Sequence, residues 1–236
     1  MDRMLDEYTR RVQSGQELPP AEVTEVVRLL ANPAVDAEPK AAFLTALAGR
    51  GETVPEIAAF ARELRELSLE LPLDARTRSG RVVDVCGTGG DRLRTFNIST
   101  TVALVVAAAG LPVAKHGNRA ITSRSGSADV LEALGVRIDL SPQEAADWLR
   151  DHRFAFLFAP NYHPAFRHIA PARRLCAERG QRTVFNFLGP LLNPARPTVQ
   201  LLGLPKPEWC EPIARVLQSL GVRRALVSDH RAAFPD

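Results

Sequence analysis

Val82-Val-Asp-Val-Cys-Gly-Thr-Gly-Gly-Asp91 is where the grammar of this chain changes. A β-rich run flows straight into glycines, which predicts a short strand over 82–85 opening into a loop. Upstream of it the apolar residues recur only at helical spacing. Leu5, Tyr8 and Val12 form one such set, and Val23, Val26, Val27 and Leu30 the next. Phe43, Leu44 and Leu47 follow, then Ile57, Phe60, Ala61 and Leu64. Pro20, Pro33 and Pro55 punctuate these helices near their ends. Downstream, strands and helices alternate. A helix over 101–109, capped by Ser99 or Thr100, precedes a short strand over 112–114. Ser127 caps a helix ending at Gly135, and 136–140 reads as a strand. Ser141-Pro-Gln-Glu144 is a capping box with proline at the first helical position. Further strands are expected at 154–158, 201–204 and 224–227, with a helix over 208–220. The alternation argues an α/β domain with a mainly parallel sheet. The expected fold class is therefore α/β: a small N-terminal helical domain, 1–74, and a larger α/β domain, 75–236. The polar segment 71–80 is read as the hinge between them.

The chemistry concentrates beside the first two α/β strands. Gly87-Thr-Gly-Gly-Asp91, Asn97-Ile-Ser-Thr100, Lys115-His-Gly-Asn-Arg119 and Ser125-Gly-Ser-Ala-Asp129 are short polar loops at the edges of apolar segments. Glycines let backbone N–H groups approach oxygens, helix N-termini face them, and a lysine and an arginine add charge. That is how a phosphate-rich ligand is held. In parallel α/β folds ligands sit outside the carboxyl ends of the strands, where the Gly87 and Lys115 loops fall. The first loop is neither a Walker loop, since no Gly-Lys-Ser/Thr follows, nor a G-x-G-x-x-G fingerprint. Each motif also has a plainer reading. Gly87 to Asp91 is a common kind of turn after a strand, Lys115 to Arg119 a solvated turn, and Ser125 to Asp129 a helix cap. His163 reads as a loop histidine, although Asn161 and Arg173 are its neighbours in sequence. Arg173 reads equally as a surface arginine beside Arg167, Arg174 and Arg179. Asp84 reads as an acceptor for backbone amides, and Cys86 as a small buried apolar residue.

Bulk properties narrow the classes. Hydrophobic residues make up 45% of the 236, enough for a real core. Thirty basic against 27 acidic residues leave a net charge of only +3, which gives no argument for nucleic acid. Cys86, Cys176 and Cys210 are widely spaced and odd in number, without a metal or disulfide pattern, which suits a reducing cytoplasm. No signal peptide is read at the start, and the apolar run 102–113, broken by Gly110 and Pro112, is too short for a bilayer.

In order and spacing these motifs resemble the anthranilate phosphoribosyltransferases of tryptophan biosynthesis. The resemblance is carried by the four loops and by the continuation Val130-Leu-Glu-Ala-Leu-Gly135. His163-Pro-Ala165 and Arg182-Thr-Val-Phe-Asn-Phe-Leu-Gly-Pro-Leu-Leu-Asn-Pro194 extend it. It implies a homodimer whose helical domain, completed by residues 160–185, is hinged to the α/β domain. It implies transfer of the phosphoribosyl group of phosphoribosyl pyrophosphate to the amine of anthranilate, with Mg2+ as cofactor. Gly87, Gly90, Asp91, Thr95, Asn97, Ile98, Ser99, Thr100, Lys115 and Ser127 would bind phosphoribosyl pyrophosphate. His116, Gly117, Asn118, Arg119, Ala120, Ile121, Thr122 and Ser123 would fold over it. Ser99 would offer its hydroxyl to Mg2+. Gly87, Asn118, His163 and Arg173 would line the anthranilate site, Arg173 facing the carboxylate. No side chain is expected to act as a nucleophile, and neither nucleic acid nor membrane is an expected partner.

Two departures stand out. The segment 174–181 is longer than in many family members. The family also carries an adjacent Asp-Glu pair for Mg2+ soon after the strand matching 225–227. Here the chain reads Ser228-Asp-His-Arg-Ala-Ala-Phe-Pro-Asp236, with no Glu. The expectation is a fragment or partial gene product whose α/β domain lacks later strands. Competing readings are a pyrimidine-nucleoside phosphorylase of the same fold and a non-catalytic, nucleic-acid-binding relative. The first predicts phosphorolysis of thymidine or uridine, the second salt-dependent DNA binding.

Overall fold

The computed structural model describes residues 2–88, 96–120 and 125–229. In chain order it contains α1 (Asp2–Gln13), α2 (Pro20–Ala31), α3 (Ala37–Arg50), α4 (Val54–Glu66) and α5 (Ala75–Ser79). Then come β1 (Val83–Gly87), α6 (Ile98–Ala108), β2 (Val113–Gly117), α7 (Ser127–Ala133), α8 (Pro142–His152) and β3 (Phe154–Phe158). The chain continues through α9 (Ala159–Tyr162), α10 (Phe166–Glu178), α11 (Phe185–Leu188), β4 (Val199–Leu204), α12 (Cys210–Ser219) and β5 (Arg224–Asp229). They fall into two compact units, one of residues 1–68 and 164–191, the other of 69–163 and 192–236.

The first unit is helical. The apolar stripes of α2, α3 and α4 supply its core through Val26, Leu30, Phe43, Leu44, Leu47, Phe60 and Leu64, all buried. α10 packs against α3, where it buries Ile169, Ala172 and Cys176. The ammonium of buried Lys40 donates to Asn32 O at 2.8 Å and to His168 O at 3.0 Å, tying the end of α2 to α10. Arg65 Nε donates to Leu191 O at 2.6 Å.

The second unit is built on five parallel strands in the order β3-β2-β1-β4-β5. Register sets the two faces. Val83, Val85, Val113, Phe154 and Phe156 pack on one side with Ala103 of α6 and Ala128 and Leu131 of α7. Ala114, Ala155 and Leu157 pack on the other with Leu71, Tyr162, Ala145 and Leu149. Because the strands are parallel, all their carboxyl ends lie along one edge.

Three expectations need correction. Residues 136–140 are not a strand: their alternation is real, but Ile138 joins one core cluster and Leu140 the other without a sheet partner. The cap of α6 is Asn97, not Ser99 or Thr100, which lie in its first turn. Likewise Gly126, not Ser127, precedes α7. Among the described residues no helix is long and apolar enough to cross a membrane.

Candidate active site

The carboxyl edge of β1 and β2 gathers most of the polar loops. Gly87 ends β1 and is exposed. Thr88 N donates across to Gly203 O of β4 at 3.2 Å. The next described residues lead into α6, whose first turn carries Ile98, Ser99 and Thr100. Ile98 is exposed, Ser99 half-buried and Thr100 buried. Asn97 Nδ2 donates to Ser125 Oγ at 2.9 Å and so joins the start of α6 to the segment before α7.

β2 carries Lys115, His116 and Gly117 to the same edge. The Lys115 side chain is only 2% exposed, and its ammonium donates to Val85 O on β1 at 2.7 Å. Burial lowers its pKa, and the negative field of Asp84 opposes that shift. Asp84, completely buried in β1, is the converse case: burial raises its pKa while Lys115 and neighbouring donors pull it down. The two groups on adjacent strands thus support each other's charge. Gln200, beside Asp84 in the β1–β4 register, donates to Cys86 Sγ at 3.2 Å. Asn193 Nδ2 donates to Ala114 O at 2.7 Å. Cys86 is buried, in agreement with its reading as a small apolar residue.

The loops after β2 and before α7 are pressed together. Asn118 O accepts from Ala128 N and from Ser127 Oγ, each at 3.3 Å. A Cβ on Gly117 would stand 2.3 Å from Ser127 Oγ, and one on Gly126 would stand 2.4 Å from Ala120 N. Gly126 is therefore required by close approach of backbone, and Gly117 by the Ser127 and Phe156 side chains packed against it, neither by positive φ. Asn118 keeps an exposed side chain whose Oδ1 accepts from Arg119 N at 2.8 Å. Arg119 is engaged by Glu132 at 2.8 Å and Asp129 at 3.1 Å, and lies 5.8 Å from the centroid of the Phe158 ring. Ala120 is half-buried.

His116 meets His163 edge-on, Nε2 to Nε2 at 3.0 Å. One ring must present a lone pair there, so the two Nε2 atoms cannot both carry protons. His163 is 5% exposed, and burial lowers its pKa to about 4, keeping it neutral at physiological pH.

Arg173 belongs to the helical unit, on α10. It is half-buried, with its guanidinium carbon 5.0 Å from the centroid of Phe185 and 6.0 Å from that of Phe166. Burial lowers its pKa, and it has no carboxylate partner among the described residues. It is not one of the ion-paired surface arginines, such as Arg179 with Glu38. Gly90, Asp91, Thr95, Ile121, Thr122 and Ser123 lie outside the described residues. The α/β unit thus brings together Gly87, Asn97, Ser99, Lys115, His116, Gly117, Asn118 and Ser127, with His163 reached through His116. Asp129 carries no role in the sequence reading of its motif. Its position three residues after Gly126 is the signal that marks it.

Models of two domains match the chain. The helical bundle domain of the glycosyl transferase family matches residues 6–68, and the a/b domain of the same family matches residues 79–231. The chain belongs to the glycosyl transferase family. Among similar proteins is the anthranilate phosphoribosyltransferase of Persephonella marina, 47% identical over 225 residues, which cover 95% of this chain and 64% of that protein. The anthranilate phosphoribosyltransferase of Thermomicrobium roseum is 51% identical over 224 residues, covering 95% and 63%. The crystal structure of the Thermus thermophilus anthranilate phosphoribosyltransferase superposes with a TM-score of 0.83 at 46% identity, covering 91% of this chain and 63% of that one. The Saccharomyces cerevisiae enzyme in complex with PRPP and Mg superposes with a TM-score of 0.85 at 27% identity, covering 96% and 66%. The chain therefore spans just under two thirds of the length of the curated relatives it matches.

Proposed function

We propose that the chain carries the phosphoribosyl-transfer site of an anthranilate phosphoribosyltransferase, joining the amine of anthranilate to the ribose of phosphoribosyl pyrophosphate and releasing pyrophosphate. The observation that carries this reading is the contact of Gly117 and Gly126 with Ser127 and the 118–120 backbone, beside the Lys115 ammonium. It leaves polar backbone and hydroxyls at the carboxyl edge of a parallel sheet, with a buried cation behind them. The names of the similar proteins favour this reading over pyrimidine-nucleoside phosphorolysis and over nucleic-acid binding. A homodimer acting in the cytoplasm completes the proposal.

The residues divide the work by charge. Displacement at the anomeric carbon builds positive charge on the sugar and negative charge on the leaving pyrophosphate. Asn97, Ser99, Thr100 and Ser127 would hold the phosphates, with His116, Gly117, Asn118, Arg119 and Ala120 beside them by resemblance, and Gly87 would lie beside both substrates. Lys115 adds a cation whose solvation has already been surrendered, so its field is little screened. Gly90, Asp91, Thr95, Ile121, Thr122 and Ser123 belong to the same binding set by resemblance. Among the described residues no cluster of three acidic, histidine or cysteine side chains forms a metal cage. Ser99, half-buried at the start of α6, would offer its hydroxyl to Mg2+, an oxygen donor of the kind that ion takes. When bound, Mg2+ would neutralise charge on the leaving group. Anthranilate brings its own amine nucleophile. Asn118 and the neutral His163 would line its path, and Arg173 would meet its carboxylate with two parallel hydrogen bonds.

The test is the loss of anthranilate fluorescence when phosphoribosyl pyrophosphate and Mg2+ are added to the purified 236-residue chain. A decay requiring both additions supports the transfer. Phosphorolysis of uridine or thymidine instead would overturn it. At residue level, Arg173→Ala should weaken anthranilate binding at least tenfold and leave phosphoribosyl pyrophosphate binding within about twofold, as loss of a charge-assisted pair implies. Lys115→Ala should do the reverse. Calorimetric titration with each ligand separates the two, and equal losses would refute the assignment.

A further inference from the structure

One carboxylate organises the pressed loops, and its contacts differ in kind from those of its neighbours. Asp129 Oδ2 accepts from Gly126 N at 2.7 Å and from Ala120 N at 3.0 Å. Its other oxygen, Oδ1, accepts from Arg119 Nη1 at 3.1 Å. Ala120 follows β2 by three residues and Gly126 immediately precedes α7. A single oxygen therefore joins the two loops. The bond to Gly126 is the half of a capping box that a glycine cap allows, while the bond to Ala120 is not part of any helix cap. Both are charge-assisted, and the amides hold the Asp129 carboxyl below the usual carboxylate range, Ala120 first. Glu132 also takes the Arg119 guanidinium, at 2.8 and 3.2 Å, but touches neither amide. Arg119 and Glu132 are both well exposed, so their pair is the weaker part of the arrangement.

We propose that Asp129 is a positioning residue for the phosphoribosyl donor: by joining the Ala120 and Gly126 amides it fixes the backbone of Asn118 and Ser127 at the spacing the phosphates require. Asn118 O is bonded to both Ser127 Oγ and Ala128 N, so the strand-end loop and the start of α7 move together once their ends are pinned. The neutral side chain of an Asp129→Asn variant would retain one acceptor oxygen without its charge, and would turn an NH2 group toward the guanidinium or an amide. The inference rests on the phosphoribosyl-transfer reading for its ligand, and on the structure alone for its clamp.

The experiment compares wild type, Asp129→Asn and Glu132→Gln, each as the whole chain, by two readouts. The first is residue-resolved amide hydrogen exchange at Ala120 and Gly126. The second is calorimetric titration with phosphoribosyl pyrophosphate plus Mg2+, and separately with anthranilate. In Asp129→Asn both amides should exchange at least tenfold faster, and affinity for phosphoribosyl pyrophosphate should drop at least tenfold. Anthranilate affinity should stay within twofold, a split that general destabilisation would not give. Glu132→Gln should leave both amides and both affinities within twofold. Unchanged exchange at the two amides overturns the clamp. Unchanged donor affinity, when wild type binds, overturns the positioning role while the transfer reading stands. Failure of wild type to bind phosphoribosyl pyrophosphate overturns the transfer reading and with it the role toward this donor, leaving the clamp itself decided by the exchange rates. Should Asp129→Asn fail to fold, Asp129→Glu, which keeps the charge but misplaces it, carries the same comparison.

Discussion

A Cβ built on Gly126 would stand 2.4 Å from Ala120 N, 2.6 Å from Arg119 C and 2.8 Å from Asn118 O. All three are backbone atoms, so no rotamer change relieves the contact. Gly126→Ala must push the two loops apart, at a cost on the order of 1–3 kcal/mol. It should also weaken phosphoribosyl pyrophosphate binding by at least tenfold, measured by calorimetry beside a thermal melt. A variant that melts and binds like wild type would show that the loops do not need this approach. His163 sets a second expectation, through pH. Its pKa falls from 6.5 to about 4 on folding because burial disfavours the imidazolium. The unfolded chain therefore takes up a proton that the native chain refuses. The contribution is fully present above about pH 6.5 and is lost as the pH falls toward 4, up to about 3 kcal/mol. Urea melts from pH 7 to 4.5 should show this slope in wild type and a flatter one in His163→Asn. Equal slopes would place the proton uptake elsewhere. At this scale the sequence was partly legible. Glycines and hydroxyls at strand ends announce phosphate chemistry, but nothing in Lys115-His-Gly-Asn-Arg119 tells that the ammonium is buried against Val85 O. Nor does it tell that Arg119 is held by Asp129 and Glu132, because those partners depend on strand register and loop return.

The best-marked element is α8. Ser141 Oγ accepts from Glu144 N at 3.3 Å, and Glu144 Oε2 accepts from Ser141 N at 2.9 Å. Pro142 fills the first helical position. These bonds and Arg137 hold the Glu144 carboxyl down at about 2, the Ser141 backbone bond first. Ser141→Ala should cost about 1 kcal/mol. For a chain of this size that is a drop of about 2–4 °C in melting temperature. An unchanged melting temperature would mean that Pro142 and packing hold the start of α8 unaided. Local signals of this kind are legible because donor and acceptor lie within one turn. The strand expected at 136–140 failed for the opposite reason. Val136, Ile138 and Leu140 alternate as a strand would, but alternation reports burial, and strand identity needs a partner that the sequence does not name. Asn97 is hard to read as the cap of α6 because hydroxyl residues follow it closely and its amide is committed to Ser125. The end of α8 is equally hidden. Arg153 adopts φ 58°, a conformation that favours glycine, while its guanidinium donates to Gly110 O and its carbonyl accepts from Val113 N. Those two bonds offset the backbone strain, and both lead to residues some forty positions away.

At the scale of the whole molecule, neither compact unit is continuous in sequence. The chain leaves the helical unit at residue 68, returns at 164 and leaves again at 191. Helical periodicity before residue 70 is easy to read, yet it does not show what covers the outward face of α3. In the structure that cover is α10. Its Ile169, Ala172 and Cys176 are buried, and His168 O takes the Lys40 ammonium. Cys176 Sγ lies 3.6 Å from Ala41 O, and Arg179 pairs with Glu38. The consequence is a fragment test. Residues 1–68 alone would expose the α3 stripe and remove the His168 O acceptor of Lys40. Chains of this length are already marginal, because they bury a smaller share of their surface on folding than larger domains do. Burying Ile169 of α10 contributes about 1.5–3 kcal/mol and the smaller Ala172 and Cys176 add roughly 1 kcal/mol each, for a total of about 3–5 kcal/mol. That is comparable to the whole stability of a small domain. The 1–68 fragment should therefore show helical circular dichroism without a cooperative melt. The same fragment joined by a short linker to residues 164–191 should melt cooperatively and bury Cys176 from thiol reagents. A sharp melt of 1–68 by itself would show that α1–α4 form a complete core. In that case α10 would be an addition to the bundle, not one of its parts.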